Sequence, residues 1–412
     1  MNSSWILSLM DQTGAPAHPA LFLVLGVVTF SLHIAAVGLT LGTLLLALFG
    51  AFSSNPYWQR LCGTLGFTAK VAVGAAVVLG VAPLLFVQVI YDPFWYVSNV
   101  LSAWPAILFL AALMVGYLLL YVWYGANHDY AADGTPIARK GEVKGGVWLL
   151  IALALFLVCG FIMHALAYQE LQPGEWMKWY APNGHIDPSG TSLHSASLPR
   201  LAFFLLMALP ITSGWIYALR GFIKSRGEAD AGYLDFLSKL GCKVGLAGAV
   251  LAAIAFGAWM YTLPETMAWF ATSAWVAVGI VGVILFFVVP PMGKKEICCP
   301  YAPFGVSLVA VILVAVAREA LRYGTLASAV GWHALDYKLV MDWGSLIVFF
   351  FTFLAVGLVS LLYLALLAWK SGQAKGQVTI GPKVTAVGRL SVALLGFWIV
   401  AYFVIGAFYI YG

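Results

Sequence analysis

Long apolar runs separated by short polar stretches dominate the chain. They fall at 19–50, 67–91, 101–124, 147–168, 199–223, 243–263, 271–291, 303–322, 344–370 and 385–411. A helix of about 20 apolar residues spans the hydrocarbon core of a bilayer, so each run predicts one transmembrane helix. The runs are too long for barrel strands and lack their alternation of apolar and polar positions. No Lys or Arg precedes the first run, and it exceeds the apolar core of a cleavable leader, so it is expected to remain as a span. The pattern predicts an all-α fold, a polytopic transmembrane helix bundle of about ten spans forming one membrane domain over 1–412.

Composition agrees with the pattern. Of 412 residues, 63% are hydrophobic and 9% are charged, too few charges to cover a soluble domain of this size and too much apolar surface for a disordered one. The charges are also unevenly placed. The loops at 51–66, 125–146, 224–242, 292–302 and 371–384, with their helix ends, hold Arg60, Lys70, Arg139, Lys140, Lys144, Arg220, Lys224, Arg226, Lys239, Lys243, Lys294, Lys295, Lys370, Lys375, Lys383 and Arg389. The opposite set holds Lys178, Arg200, Arg318, Arg322 and Lys338. Cytoplasmic loops are enriched in Lys and Arg, so the first set is expected inside and both termini on the outer, periplasmic side of the inner (cytoplasmic) membrane. The formal net charge of +5 reflects this bias and points to no nucleic-acid partner.

The five cysteines, Cys62, Cys159, Cys242, Cys298 and Cys299, have neither C-x-x-C nor C-x-x-C-H spacing, which argues against structural zinc and covalent haem. The longest outer loop, 169–198, carries Pro173, Gly174, Trp176, Trp179, Tyr180, Pro182 and Gly184. It reads as a folded cap at the interface or a docking surface, although Trp and Tyr favour that depth in any membrane protein. No internal repeat suggests a transporter built from an inverted pair.

Titratable groups at membrane depth are few, and such groups need partners. His33 lies well inside the first run, Gln88 near the end of the second and His164 near the end of the fourth. Arg318, Glu319 and Arg322 close the eighth. The alternating direction of the spans puts His33, Gln88, His164 and Glu319 in the outer half of the bilayer, where one shared site is expected as an option. A buried imidazole in an apolar surround suits haem iron. The competing readings are a hydrogen-bonded packing histidine and a simple Glu319–Arg322 pair one turn apart.

The stretch around His33 carries a family resemblance. His33 followed by Leu39, Thr40, Leu41 and Gly42 resembles the first helix of the haem-bearing subunit I of cytochrome bd quinol oxidases, where this histidine is an axial haem ligand. The segment Trp58–Leu65, the run GVAPLLFVQVIYDPFW at 80–95, Trp104 with Pro105, SGWIYALRG at 213–221 and SKLGCKVGLAG at 238–248 resemble later parts of the same subunit in order. Glu319 and Arg322 fall where that family has a haem-ligating Glu followed by Arg. The resemblance is carried by 19–322, and the span at 385–411 looks additional. Departures accompany it. Gln88, Phe109 and Tyr117 stand where the family carries carboxylates. No His occurs within 196–203, where the low-spin haem ligand is expected, and only His194 is near. Ala277 stands near the place of the opposing Met, and the quinol loop after the sixth helix is reduced.

The resemblance implies a bd-like membrane subunit of a respiratory complex, carrying one or two haem b groups. Electrons would pass between the quinone pool and a cytochrome partner at the outer face, within the lipid bilayer and alongside other membrane or cytochrome subunits. It implies His33 as haem ligand, Glu319 as second ligand or haem-adjacent carboxylate, and Arg322 as partner of a propionate or of Glu319. His164, His194 and Gln88 complete the candidate cofactor-binding set. Two alternatives stay open: a cofactor-free anchor holding partner subunits, and a genuine quinol:oxygen oxidoreductase subunit; a transporter ranks below both. The charge asymmetry yields a direct test of topology. Single cysteines at Ser53 and Ala374 should react with a membrane-impermeant maleimide only after permeabilisation, and one at Ser189 should react from outside; the reverse pattern would overturn the orientation.

Overall fold

A computed structural model describes residues 4–130, 136–138, 144–227, 230–294, 299–373 and 378–411. Arg139, Lys140, Lys295, Lys375, Ala374 and Cys298, invoked above, lie outside the described residues. Ten helices are long and apolar enough to cross a membrane. They are α1 (Pro19–Ala51), α2 (Pro56–Ile90), α3 (Ala103–Asn127), α4 (Gly146–Gln169), α5 (Leu198–Ser225), α6 (Ala231–Tyr261), α7 (Ala274–Lys294), α8 (Ala302–Val330), α9 (Trp343–Gly372) and α10 (Pro382–Phe408). The chain is therefore a multi-pass, all-helical membrane protein, and each expected run has its helix. A three-residue antiparallel pairing of His128–Tyr130 with Pro136–Ala138 joins α3 to α4.

Several helices outrun their apolar runs. With 35 residues, α2 is about 52 Å long, well beyond the hydrocarbon core. Its first turns are polar, and Asn55 caps them by accepting from Tyr57 N at 2.9 Å. Lys70, assigned above to a loop end, is inside α2, with its ammonium 3.4 Å from the Tyr124 ring centroid. Lys239 and Lys243 likewise sit on α6. The eighth helix does not close at Arg322. It continues two turns, through Gly324, to Val330 and ends at Gly331, whose φ of 70° lies in the left-handed region.

The described residues form two compact units. The first takes in α1 to α8 and the segment before Gln12. Its helices approach closely through small residues, as expected where lipid removes any hydrophobic drive between spans. At Gly42 a side chain would stand 2.7 Å from the Ala208 carbonyl oxygen of α5, so only glycine permits that crossing. Within α5, Pro210 has no N–H to offer the carbonyl four residues back, and the helix breaks locally at the buried Met207.

The second unit contains α9 and α10. Trp398 Nε1 donates to Thr352 Oγ1 at 2.6 Å, and the Ser360 and Ser391 hydroxyls meet at 2.7 Å. Asp342 caps α9 by accepting from Ser345 N at 3.0 Å. Thr352 lies in a wide turn, Phe351–Gly357, where the helix takes up i to i+5 bonding.

Candidate functional site

Polar and charged side chains of the first unit concentrate at one end, beneath a cap. The segment between α4 and α5 folds into a short helix, Trp176–Tyr180, flanked by tight turns. The side chain of Gln169 organises it. Its amide nitrogen donates to Ser102 Oγ at 3.0 Å, and its oxygen accepts from His194 N at 2.6 Å. The Gln169 carbonyl accepts from Trp176 Nε1 at 3.0 Å. Trp176 is 6.1 Å from Phe94, which in turn packs edge-on against Trp332 at 5.7 Å. The cap expected for 169–198 is thus a folded one, built on buried hydrogen bonds and aromatic packing.

Asp92, just beyond α2, ties together the segment before α1 and the segment after α8. Its carboxylate accepts from Asp11 N at 2.8 Å and from the Tyr337 hydroxyl. Burial pushes the Asp92 carboxyl above its ordinary value, and the two donors pull it partly back. Burial and the neighbouring carboxylate push the Tyr337 phenol upward as well.

Beneath the cap lie five charged groups. Glu170, at the end of α4, forms an ion pair with Arg322 of α8, and both are buried. The Arg322 guanidinium also lies 3.9 Å from the Tyr91 ring centroid. The Tyr91 hydroxyl donates to Glu319 Oε1 at 2.7 Å, while Arg318 Nη1 donates to Oε2 at 3.1 Å. Arg318 covers the Phe30 ring of α1 at 4.2 Å. Arg200, in the first turn of α5, completes the cluster. The pairing expected for Arg322 is therefore corrected: its partner is Glu170, and Glu319 pairs with Arg318. The reason is helical phase, which turns Arg322 toward α4 and leaves Arg318 facing α1.

His33 sits apart from that cluster but not far below it. Its Nδ1 is 2.9 Å from the Ala76 carbonyl oxygen of α2. A carbonyl can only accept, so Nδ1 carries the proton and Nε2 keeps a lone pair. The ring lies against Gly80, where a Cβ would stand 2.8 Å from Cε1. Phe30 is one turn from His33 on α1, so Arg318 reaches α1 one turn from His33, whereas Tyr91, which holds Glu319, is eleven residues beyond Gly80, about 16 Å along α2.

The other sequence candidates are placed elsewhere. Gln88 is eight residues beyond Gly80, about 12 Å along α2, and is half-buried. His164 is buried, stacks on Tyr168 at 6.1 Å and accepts from Ser197 N at 3.3 Å through Nε2. That bond uses its lone pair and leaves the proton on Nδ1. His194 belongs to the cap, stacked on Trp179 at 5.3 Å, with Nε2 donating to Leu101 O at 3.1 Å. It borders an outward cavity of about 150 Å³ that Tyr180, Asp187 and Thr191 also line. One site shared by His33, Gln88, His164 and Glu319 is thus not formed; His33 lies against Gly80, Glu319 bonds Tyr91, and His164 bonds Ser197, three residues before Arg200. Among the described residues no group of three or more His, Cys, Asp or Glu could hold a metal ion.

Sequence reasoning missed Glu170, Tyr91 and Asp92, and counted Arg200 only as a loop charge. Glu170 had a usable signal, as an acid directly after the apolar run of α4. Its long-range partner had none.

No family model and no curated protein matches the sequence. The fold is similar to that in "The structure of bd oxidase from Geobacillus thermodenitrificans", with a TM-score of 0.53 at 12% identity, covering 92% of this chain and 99% of that chain. The chain is thus a polytopic membrane protein with a bd-oxidase-like helical fold.

The Glu170–Arg322 pair can be tested by a double-mutant cycle. Glu170→Gln alone should cost about 3–5 kcal/mol, because it strands a buried guanidinium. Glu170→Gln with Arg322→Met should recover most of that loss in thermal unfolding of the detergent-solubilised protein. Additive losses would show that the two side chains are not coupled.

Proposed function

We propose that the chain is a bd-like membrane subunit of a respiratory redox complex, binding haem b through His33. With haem held there, the subunit would serve electron transfer between the quinone pool and a cytochrome partner at the outer face. The observation that carries this reading is the hydrogen bond from His33 Nδ1–H to the Ala76 carbonyl. It fixes the tautomer and ring plane and leaves Nε2 free to ligate, the arrangement by which proteins orient imidazole ligands. The residues fit the group: a single axial imidazole suffices for a porphyrin iron, and the surround is apolar. Bound haem would supply one-electron chemistry at a buried site.

Within that reading, Glu319 acts as a haem-adjacent carboxylate and not as the second ligand. Both of its oxygens already accept hydrogen bonds, from Tyr91 and Arg318. One or two haems are compatible with the site residues, with His194 the remaining imidazole whose second nitrogen keeps a lone pair. Arg318 and Arg322 lie in the charged layer above His33, each paired with a carboxylate. The charge asymmetry supports both termini lying outside.

Two outcomes test the proposal. His33→Ala should remove or strongly alter one haem b band in the reduced-minus-oxidised spectrum while the protein still assembles. Gly80→Ala should perturb the same band, because the added methyl meets the ring; in an open helix that change would instead add stability, by up to about 1 kcal/mol. A wild-type protein that contains haem, with both variants spectrally unchanged, would refute ligation by His33. A spectrally silent wild type would favour the cofactor-free anchor.

The same reading predicts weak oxygen reduction. Gln88 and Phe109 cannot carry protons as carboxylates do, and the Tyr117 hydroxyl is occupied by Tyr121 at 3.1 Å. Quinol-dependent oxygen uptake by the purified protein is expected to be slight. Sustained turnover abolished by an inhibitor of bd-type oxidases would contradict this and support an oxidase subunit.

A further inference from the structure

We propose that Arg200 is the anchor of a buried oxyanion site, holding one carboxylate or phosphodiester group of a bound molecule. Arg200 is 4% exposed, and its Nε and Nη1 have no hydrogen-bond partner. A guanidinium does not give up its charge in a protein, so burial without an acceptor is costly and calls for one. The ring centroids of Tyr168, Phe204 and Trp259 lie 5.8, 5.8 and 5.9 Å away. Those distances are at the outer limit of a cation–π interaction and do not replace a hydrogen-bonded anion.

The cluster's own carboxylates are committed elsewhere. Glu170 is paired with Arg322, and Glu319 with Arg318 and Tyr91. Three guanidiniums against two carboxylates leave one positive charge in excess. Acids of the cap do not supply the missing anion: Glu175 pairs with Lys178, and Asp187 accepts from Ser189 N. The nearest imidazole, His164, spends its Nε2 on Ser197 N and contributes no negative charge.

A second donor points the same way. Trp259 Nε1 is buried and has no partner. The indole N–H and two N–H directions of a guanidinium 5.9 Å from the indole centroid, all without an acceptor, suit a ligand that is acceptor-rich and anionic. Arginine is also the side chain best suited to carboxylate and phosphate oxygens.

Two sources offer this chemistry at such a depth. One is the phosphodiester of an anionic phospholipid, since Arg200 stands in the first turn of a span, near headgroup level. The other is a carboxylate of a buried cofactor, such as a haem propionate, and this second source rests on the function proposed above.

The test compares wild type, Arg200→Gln and Arg200→Lys, each purified in mild detergent. Native mass spectrometry and extracted phosphorus report bound lipid, and the pyridine haemochrome spectrum reports haem. Wild type should retain one anionic species per chain, Arg200→Gln should lose it, and Arg200→Lys should keep part of it. Loss of one phospholipid per chain with haem content unchanged identifies the lipid source. Weakened haem retention or a shifted haem potential with lipid unchanged identifies the carboxylate source. If Arg200→Gln does not assemble, delipidated wild type decides. A saturable rise in melting temperature with dioleoylphosphatidylglycerol but not with dioleoylphosphatidylcholine, or on haem reconstitution, supports the site. The proposal is overturned if wild type carries neither anion stoichiometrically and responds to neither addition. It is equally overturned if Arg200→Gln keeps the full complement and melts at or above the wild-type temperature, the behaviour of an unpaired buried charge made neutral.

Discussion

The capped end of the first unit depends on the cost of placing charge where water is scarce. Glu170 and Arg322 are both buried, so neither can be solvated and each requires the other. Satisfying that requirement fixes the end of α4 against α8. The cap follows from it, since Gln169, the neighbour of Glu170, directs the hydrogen bonds that fold the loop to α5. Arg318, Glu319 and Tyr91 extend the same logic toward α1: Glu319 is held by its neighbour Arg318 and by Tyr91 beyond the end of α2.

A different constraint governs the middle of the bundle. Close helix crossings rest on small residues, and Gly80 allows the His33 ring to lie against α2. The histidine is then held by a backbone carbonyl, a partner that fixes its tautomer at every pH where the ring is neutral. Charge is concentrated in one layer and a single oriented imidazole stands below it. A membrane redox cofactor needs both: a fixed ligand to the metal and compensating charge near its periphery.

Much of this was legible in the sequence. Ten spans follow from run length alone, and the cap follows from Trp, Pro and Gly clustered in the longest loop. Helix ends were less legible, because hydropathy stops at the first polar residue whereas helices continue until a breaker, as at Gly331. The partner of Arg322 was not legible at all. An i to i+3 pair on one helix is visible in a sequence, but the phase that turns Arg322 toward Glu170, 152 positions away, is a property of packing. For the same reason Arg200 looked like a loop charge until its surroundings showed three aromatic rings and no anion.

The central claim is that His33 is a haem ligand held in register by α2. An electron cryomicroscopy map of the purified protein, recorded beside its visible spectrum, tests it most directly. The account predicts porphyrin density with iron on His33 Nε2, Nδ1 still bonded to the Ala76 carbonyl, and the Arg318–Glu319 pair at the porphyrin's edge. Lipid or side-chain density filling the space at Nε2, in a preparation without a haem b spectrum, would contradict it.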